Sequence, residues 1–121
     1  MGEVISMVAV RVGRSLRLQD SVSPVFVHHG GFIVWHSQGL AALLGHNTGP
    51  FVGRSVLRFV APEYAQRTAA VLGRKPARSR LRMELVRADG ERVPVEVRGE
   101  NVVVGGMKAR RVEVRVVAAS W

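Results

Sequence analysis

Cysteine is absent from the chain. That excludes disulfides, thiolate metal sites and any cysteine nucleophile, and it fits a reducing compartment, so the expected location is the cytoplasm. Long apolar runs are also missing. No stretch approaches the roughly 20 apolar residues that span a bilayer. The N-terminus, MGEVISMVAVRVGRS, has neither a basic leading region nor a clean apolar segment, so no signal peptide is expected. Aromatic residues make up only 6% of the chain, which leaves little material for an aromatic stacking platform of the kind that binds single-stranded nucleic acid. Acidic residues are scarce too: nine against 18 basic ones, for a formal charge of +9.

What is present fits one folded domain. The 121 residues match a single domain by length, and a chain of that size buries an ordinary core without staples. The hydrophobic fraction of 47% and charged fraction of 22% are those of a globular protein. All the basic residues except Lys75 and Lys108 are arginine. An anionic partner is one explanation of the charge; arginine-rich coding is the other.

Residues 1–20 form an N-terminal segment whose Val4, Val8, Val10 and Val12 fit either a helix or a strand, with a soft boundary near Asp20. The compact domain is expected over 21–118. PVFVHH and FIVWHS are β-branched and aromatic runs around Gly30-Gly31, the signature of a two-residue hairpin. SQGLAALLG then reads as a helix, with Ser37 as N-cap, Leu40, Leu43 and Leu44 on one face, and Gly45 as its stop. HNTGP is loop, VGRSVLRFV a short helical turn, and APEYAQRTAAVLG a helix with Pro62 in its first turn and Gly73 just past its end. Three strictly alternating strands close the chain: RLRMELVR, ERVPVEVR and RRVEVRVV. Such alternation gives one buried and one wet face. ADGE is a tight turn between the first two, and Gly105-Gly106 a looser one before the last. The order β-β-α-α-α-β-β-β allows one antiparallel sheet with helices over one face, an α+β fold.

Four blocks in order resemble the PAS family over Ser21 to Val117: SPVFVHHGGFIVWHSQGLAALLG, FVGRSVLRFVAPE, the Asp-Gly hairpin MELVRADGERVPVEV, and RRVEVRVV. One departure is Ser37, where the family often has Asn; serine also caps helices. The resemblance implies a five-stranded antiparallel sheet in the order 2-1-5-4-3 with the helices cupped over it. It also implies a sensory or dimerisation module of a bacterial signalling protein, not an enzyme. Its output domain, such as a histidine kinase, a cyclase or a DNA-binding domain, would lie outside this chain. Family members bind haem, flavins, fatty acids, other metabolites or nothing, and fold alone does not choose.

The residues narrow that choice. With Gly30-Gly31 as the turn, His29 faces Phe32, His28 faces Ile33 and Val25 faces His36. Alternation then sends His28 to the face of Phe26, Ile33 and Trp35, and His36 to that of Val25, Val27 and Val34, so no metal site is expected. Haem is disfavoured, because the helix that carries the iron-ligating histidine in oxygen-sensing members has none here. Tyr64 is a poor substitute, and His46 lies in a loop. Adduct-forming flavin chemistry needs the missing cysteine. Trp35, Phe26, Phe51 and Phe59 either stack on an aromatic ligand or fill a small core, and the second is favoured. If a small apolar or aromatic ligand binds, such as a non-covalent flavin or a fatty acid, the expected lining is Phe26, Ile33, Trp35, Leu44, Phe59 and Met83. No catalytic residues stand out: no nucleophile elbow and no paired loop carboxylates.

Arg80, Arg82, Arg92, Arg98, Arg111 and Arg115 fall on the wet face of the last three strands, with Glu84, Glu96 and Glu113 among them. A ladder of cross-strand ion pairs takes up most of the charge. No recognition helix is visible, so nucleic acid is a remote alternative. The first hairpin has two apolar faces, and the helices cover one. The other marks an interface: a homodimer is expected through Val8, Val10, Val12, Val25, Val27 and Val34.

Overall fold

The structure of the chain, a computed structural model, describes residues 23–45, 51–74 and 78–117. The N-terminal segment with Val8, Val10 and Val12, the loop with His46, and residues 75–77 of the connector lie outside the described residues.

Five strands form one antiparallel sheet: β1 (Val25–His29), β2 (Phe32–His36), β3 (Arg78–Val86), β4 (Arg92–Val104) and β5 (Met107–Val116). Their order is β2-β1-β5-β4-β3. Between β2 and β3 come helix α1 (Gln38–Leu44), a 3-10 turn (Val56–Phe59) and helix α2 (Pro62–Arg74). The last three strands are longer than the alternating runs alone suggest, because the ladders continue through Ser79–Gly99 and Val102–Ala109. Helix α2 likewise runs through Gly73 to Arg74. Among the described residues no helix is long and apolar enough to cross a membrane.

Local chemistry explains the elements. Gly30 and Gly31 both adopt positive φ (59° and 91°), which lets a two-residue turn match the twist of β1 and β2. Ser37 ends β2 and caps α1: its Oγ accepts from the Leu40 N–H at 3.2 Å and from the Val25 N–H at 3.0 Å. One buried hydroxyl therefore fixes a helix start against a strand start. Segment 53–56 then runs along the free edge of β2. The Ile33 N–H donates to the Arg54 carbonyl at 2.9 Å, the Gly53 N–H to that of Ile33 at 2.7 Å, and the Val56 N–H to that of Gly31 at 2.8 Å. That edge is satisfied rather than left open.

The first hairpin departs from simple alternation. The pairs are Phe26–His36, Val27–Trp35, His28–Ile33 and His29–Phe32, with a register shift between Val27 and His28. Val34 is therefore the extra residue of a β-bulge. Paired residues share a face, so Trp35 moves to the outer face with Val27, and His36 to the inner face with Phe26. The expectation that His28 and His36 lie on opposite faces is corrected accordingly.

The main core lies between the inner sheet face and the helices. Phe26, Ile33, Leu40, Leu44, Phe51, Phe59, Met83, Val95 and Val112 are among its buried members. A second cluster on the outer face joins Val27, Val102, Val104 and Ala109, with Val34 and Trp35 packed against it.

Candidate functional site

The inner face of the sheet and the helical layer line a partly open cavity of about 60 Å³. Its floor comes from all five strands, and its roof from Leu40 and Leu44 of α1, Val56 and Phe59 of the 3-10 turn, and Thr68, Val71 and Leu72 of α2. Five of the six residues expected to line it do so: Phe26, Ile33, Leu44, Phe59 and Met83. Trp35 does not. The bulge at Val34 turns its indole outward into the second cluster. Of the remaining aromatics, Phe51 and Phe59 pack at 5.1 Å between ring centroids, inside the core.

One end of the cavity is polar. His28 and Arg110 are neighbours across the β1–β5 ladder, and Arg110 opposes Asn101 in β4. Both side chains are buried, at 5% and 6% exposure. Arg110 donates to Asn101 Oδ1 at 2.7 Å and to Ser79 Oγ at 2.9 Å. To reach Ser79 on β3, the guanidinium crosses β4 where Gly99 has no side chain; a Cβ there would stand 2.8 Å from Arg110 Nε. Glycine inside a strand often marks such a close approach. Burial pushes Arg110 below the ordinary arginine value, and the charge of Glu100 acts the other way.

His28 accepts a hydrogen bond from the Gly31 N–H through Nδ1, at 3.1 Å. An acceptor Nδ1 places the proton on Nε2 and requires a neutral ring. Burial lowers its pKa to about 4, helped by the charge of Arg110 and then by His29.

His28, Arg110, Ser79 and Gly99 were missed as cavity residues from sequence. The signal was available: Arg110 stands an even number of positions from Val112 and Val114, so the alternation that buries the valines also buries Arg110. Gly99 in the middle of a strand was the second clue.

The three described histidines, His28, His29 and His36, each have a bonded Nδ1. His29 Nδ1 is bonded to the Lys108 carbonyl at 2.8 Å and His36 Nδ1 to the Ser37 carbonyl at 2.9 Å. The His36 ring also stands edge-on to Phe51 at 4.7 Å. Among the described residues no group of three or more His, Cys, Asp or Glu side chains is placed to hold a metal ion.

The cavity's size bears on the larger ligands. At about 60 Å³ it has room for about four to six waters, whereas drug-sized ligands occupy pockets of roughly 300–1,000 Å³. A flavin, a haem or a long-chain fatty acid does not fit this arrangement. Tyr64 packs against the core edge with Arg67 over its ring at 5.8 Å.

The outer face carries the expected charge ladder. Glu96 pairs with Arg80 at 3.8 Å and Arg98 at 3.3 Å; Arg111 pairs with Glu100 at 3.7 Å and Glu113 at 2.7 Å. Arg92 joins Glu63 of α2 to Glu84 of β3. Val25 and Val27 of the expected dimer surface keep only 3% and 1% exposure within the single chain, and Val34 is half-buried. The valines of β1 therefore do not present open surface to a second copy. Val27 is shielded by Val102, Val104 and Ala109 of the outer-face cluster.

No protein-family model matches the chain, and no curated protein does. Solved structures do. The PAS domain of an HTR-like protein from Haloarcula marismortui has a TM-score of 0.70 at 22% identity, covering 78% of this chain and 81% of that one. A PAS domain from a two-component sensor histidine kinase gives 0.65 at 11%, covering 79% and 86%. The light-state LOV structure of the blue-light photoreceptor Aureochrome1 gives 0.66 at 14%, covering 87% and 91%. With the strand order already described, these likenesses establish the fold as that of PAS domains.

Proposed function

We propose that this PAS-fold domain is a non-enzymatic sensory and homodimerisation module of a bacterial, cytoplasmic signal-transduction protein. The cavity between sheet and helices carries the reading. It is a largely apolar space, and its lining includes a buried arginine and a buried histidine. Occupying it shifts the helical layer against the sheet. The shift passes through β1 and β5, whose residues alternate between the cavity and the outer face. Output belongs to a histidine kinase, a cyclase or a DNA-binding domain outside this chain, and the similar PAS domain of a sensor histidine kinase supports such an arrangement.

We assign dimerisation to the N-terminal segment together with the exposed outer-face end of β2, beside the buried valines of β1. The exposed Phe32 at the end of β2, 55% accessible, is the apolar surface that remains there. The small cavity volume favours one second reading, an interaction module that holds no ligand. Native mass spectrometry and an absorption spectrum of the purified chain test the proposal. A dimer, with or without a small bound molecule, supports it. A monomer that carries nucleic acid contradicts it.

A further inference from the structure

The inner cavity is asymmetric, and its asymmetry specifies a ligand class. The sheet register sets His28, Arg110 and Asn101 in one row across β1, β5 and β4, and the Arg110 guanidinium reaches past Gly99 to Ser79 in the next row. Beyond that row, apart from Ser79 and Gly99, the sheet residues lining the space are apolar: Phe26 and Val112, Val97 and Leu81, then Met83 and Leu85. One end of the space therefore presents a guanidinium, and the rest presents hydrocarbon.

A guanidinium stays protonated inside a protein. Burying it is costly unless its surroundings compensate. Two of the compensating contacts, Asn101 Oδ1 and Ser79 Oγ, are neutral and hold the planar group in a fixed position at the cavity wall. A planar fork held this way matches a carboxylate, whose two oxygens take parallel N–H donors. His28 is kept neutral by its bond from Gly31 and by burial, so one positive charge faces the space from this row. A second carboxylate on the ligand would have to be buried among apolar side chains, and an inorganic anion would leave the hydrocarbon walls unfilled.

Volume sets the length. Room for about four to six waters in about 60 Å³ corresponds to about the same number of non-hydrogen atoms. We propose that the cavity binds a short aliphatic monocarboxylic acid, with its carboxylate on Arg110 and its tail against Phe26 and Leu81. This rests on the sensory reading and narrows it to one class of signal.

Calorimetric titration of the full chain with sodium butyrate, butyramide, 1-butanol and sodium octanoate tests it. Butyrate is expected to bind at least about tenfold more tightly than butyramide, which has the same shape without the charge. Octanoate, too long for the space, is expected to bind at least about tenfold more weakly than butyrate. Arg110→Met should abolish the preference for butyrate over butyramide. Gly99→Ala keeps the charge but pushes the guanidinium aside, and should weaken butyrate more than butyramide. If Arg110→Met does not fold, Gly99→Ala and the comparison of the two ligands on the unaltered chain still decide. Equal binding of butyrate and butyramide, or tighter binding of octanoate, overturns the acid assignment and leaves the sensory reading standing. Failure of all four compounds to bind overturns the acid assignment, and the native mass of the chain decides the sensory and dimerisation reading separately.

Discussion

The backbone N–H of Gly31 donates to Nδ1 of His28 across the tip of the first hairpin, at 3.1 Å. That bond exists only while His28 is neutral, because a protonated ring has no acceptor nitrogen. The same hairpin carries the floor of the cavity, so its geometry is tied to the charge state of one side chain.

Stability should therefore depend on pH through His28. Its folded pKa of about 4 lies below the usual 6.5. Between those values the unfolded chain takes up a proton that the folded chain refuses, so stability is intact above pH 6.5 and falls as the pH drops toward 4. The loss is at most about 3 kcal/mol. Asn in place of His28 offers an oxygen to the Gly31 N–H and cannot titrate. Urea midpoints at pH 7 and pH 4.5 should differ far less for His28→Asn than for the unaltered chain. Equal losses in both would assign the acid sensitivity elsewhere.

Ser37→Ala should destabilise the domain by about 2–3 kcal/mol. The Leu40 and Val25 N–H groups both lose an acceptor in a buried setting. Asparagine at this position, which the family favours, keeps an acceptor and should recover most of the loss. Chemical denaturation reads both. A cost under about 0.5 kcal/mol for the alanine variant would mean that water replaces the hydroxyl.

Trp35→Leu should leave the affinity of any cavity ligand within about twofold, since the indole lies on the far side of the sheet. Phe59→Leu, inside the cavity lining, should change it by more. A ligand affinity that follows Trp35 and ignores Phe59 would place the site on the outer face.

Much of this architecture is legible in the residues. Period-two alternation in RLRMELVR, ERVPVEVR and RRVEVRVV gives three strands and the face each residue takes, because polar and apolar positions differ sharply there. Turn glycines and the Ser37 cap bound the first hairpin and α1. The hairpin register is not legible for the opposite reason. Both its faces are apolar, so a one-residue bulge at Val34 leaves no contradiction in the pattern, and Trp35 and His36 exchange faces unseen. Arg110 illustrates a third case. Its inward parity is plain, but a charged residue beside Arg111 reads as surface until Gly99 is recognised as the space it passes over.

The central claim is that what fills the cavity biases association through the outer face. Sedimentation equilibrium of the full chain, with and without a ligand that calorimetry has shown to bind, tests it most directly. The account predicts a species of twice 13.2 kDa whose dissociation constant changes by at least about fivefold on ligand binding. A 13.2 kDa species under both conditions, or a dimer indifferent to the bound ligand, would contradict it.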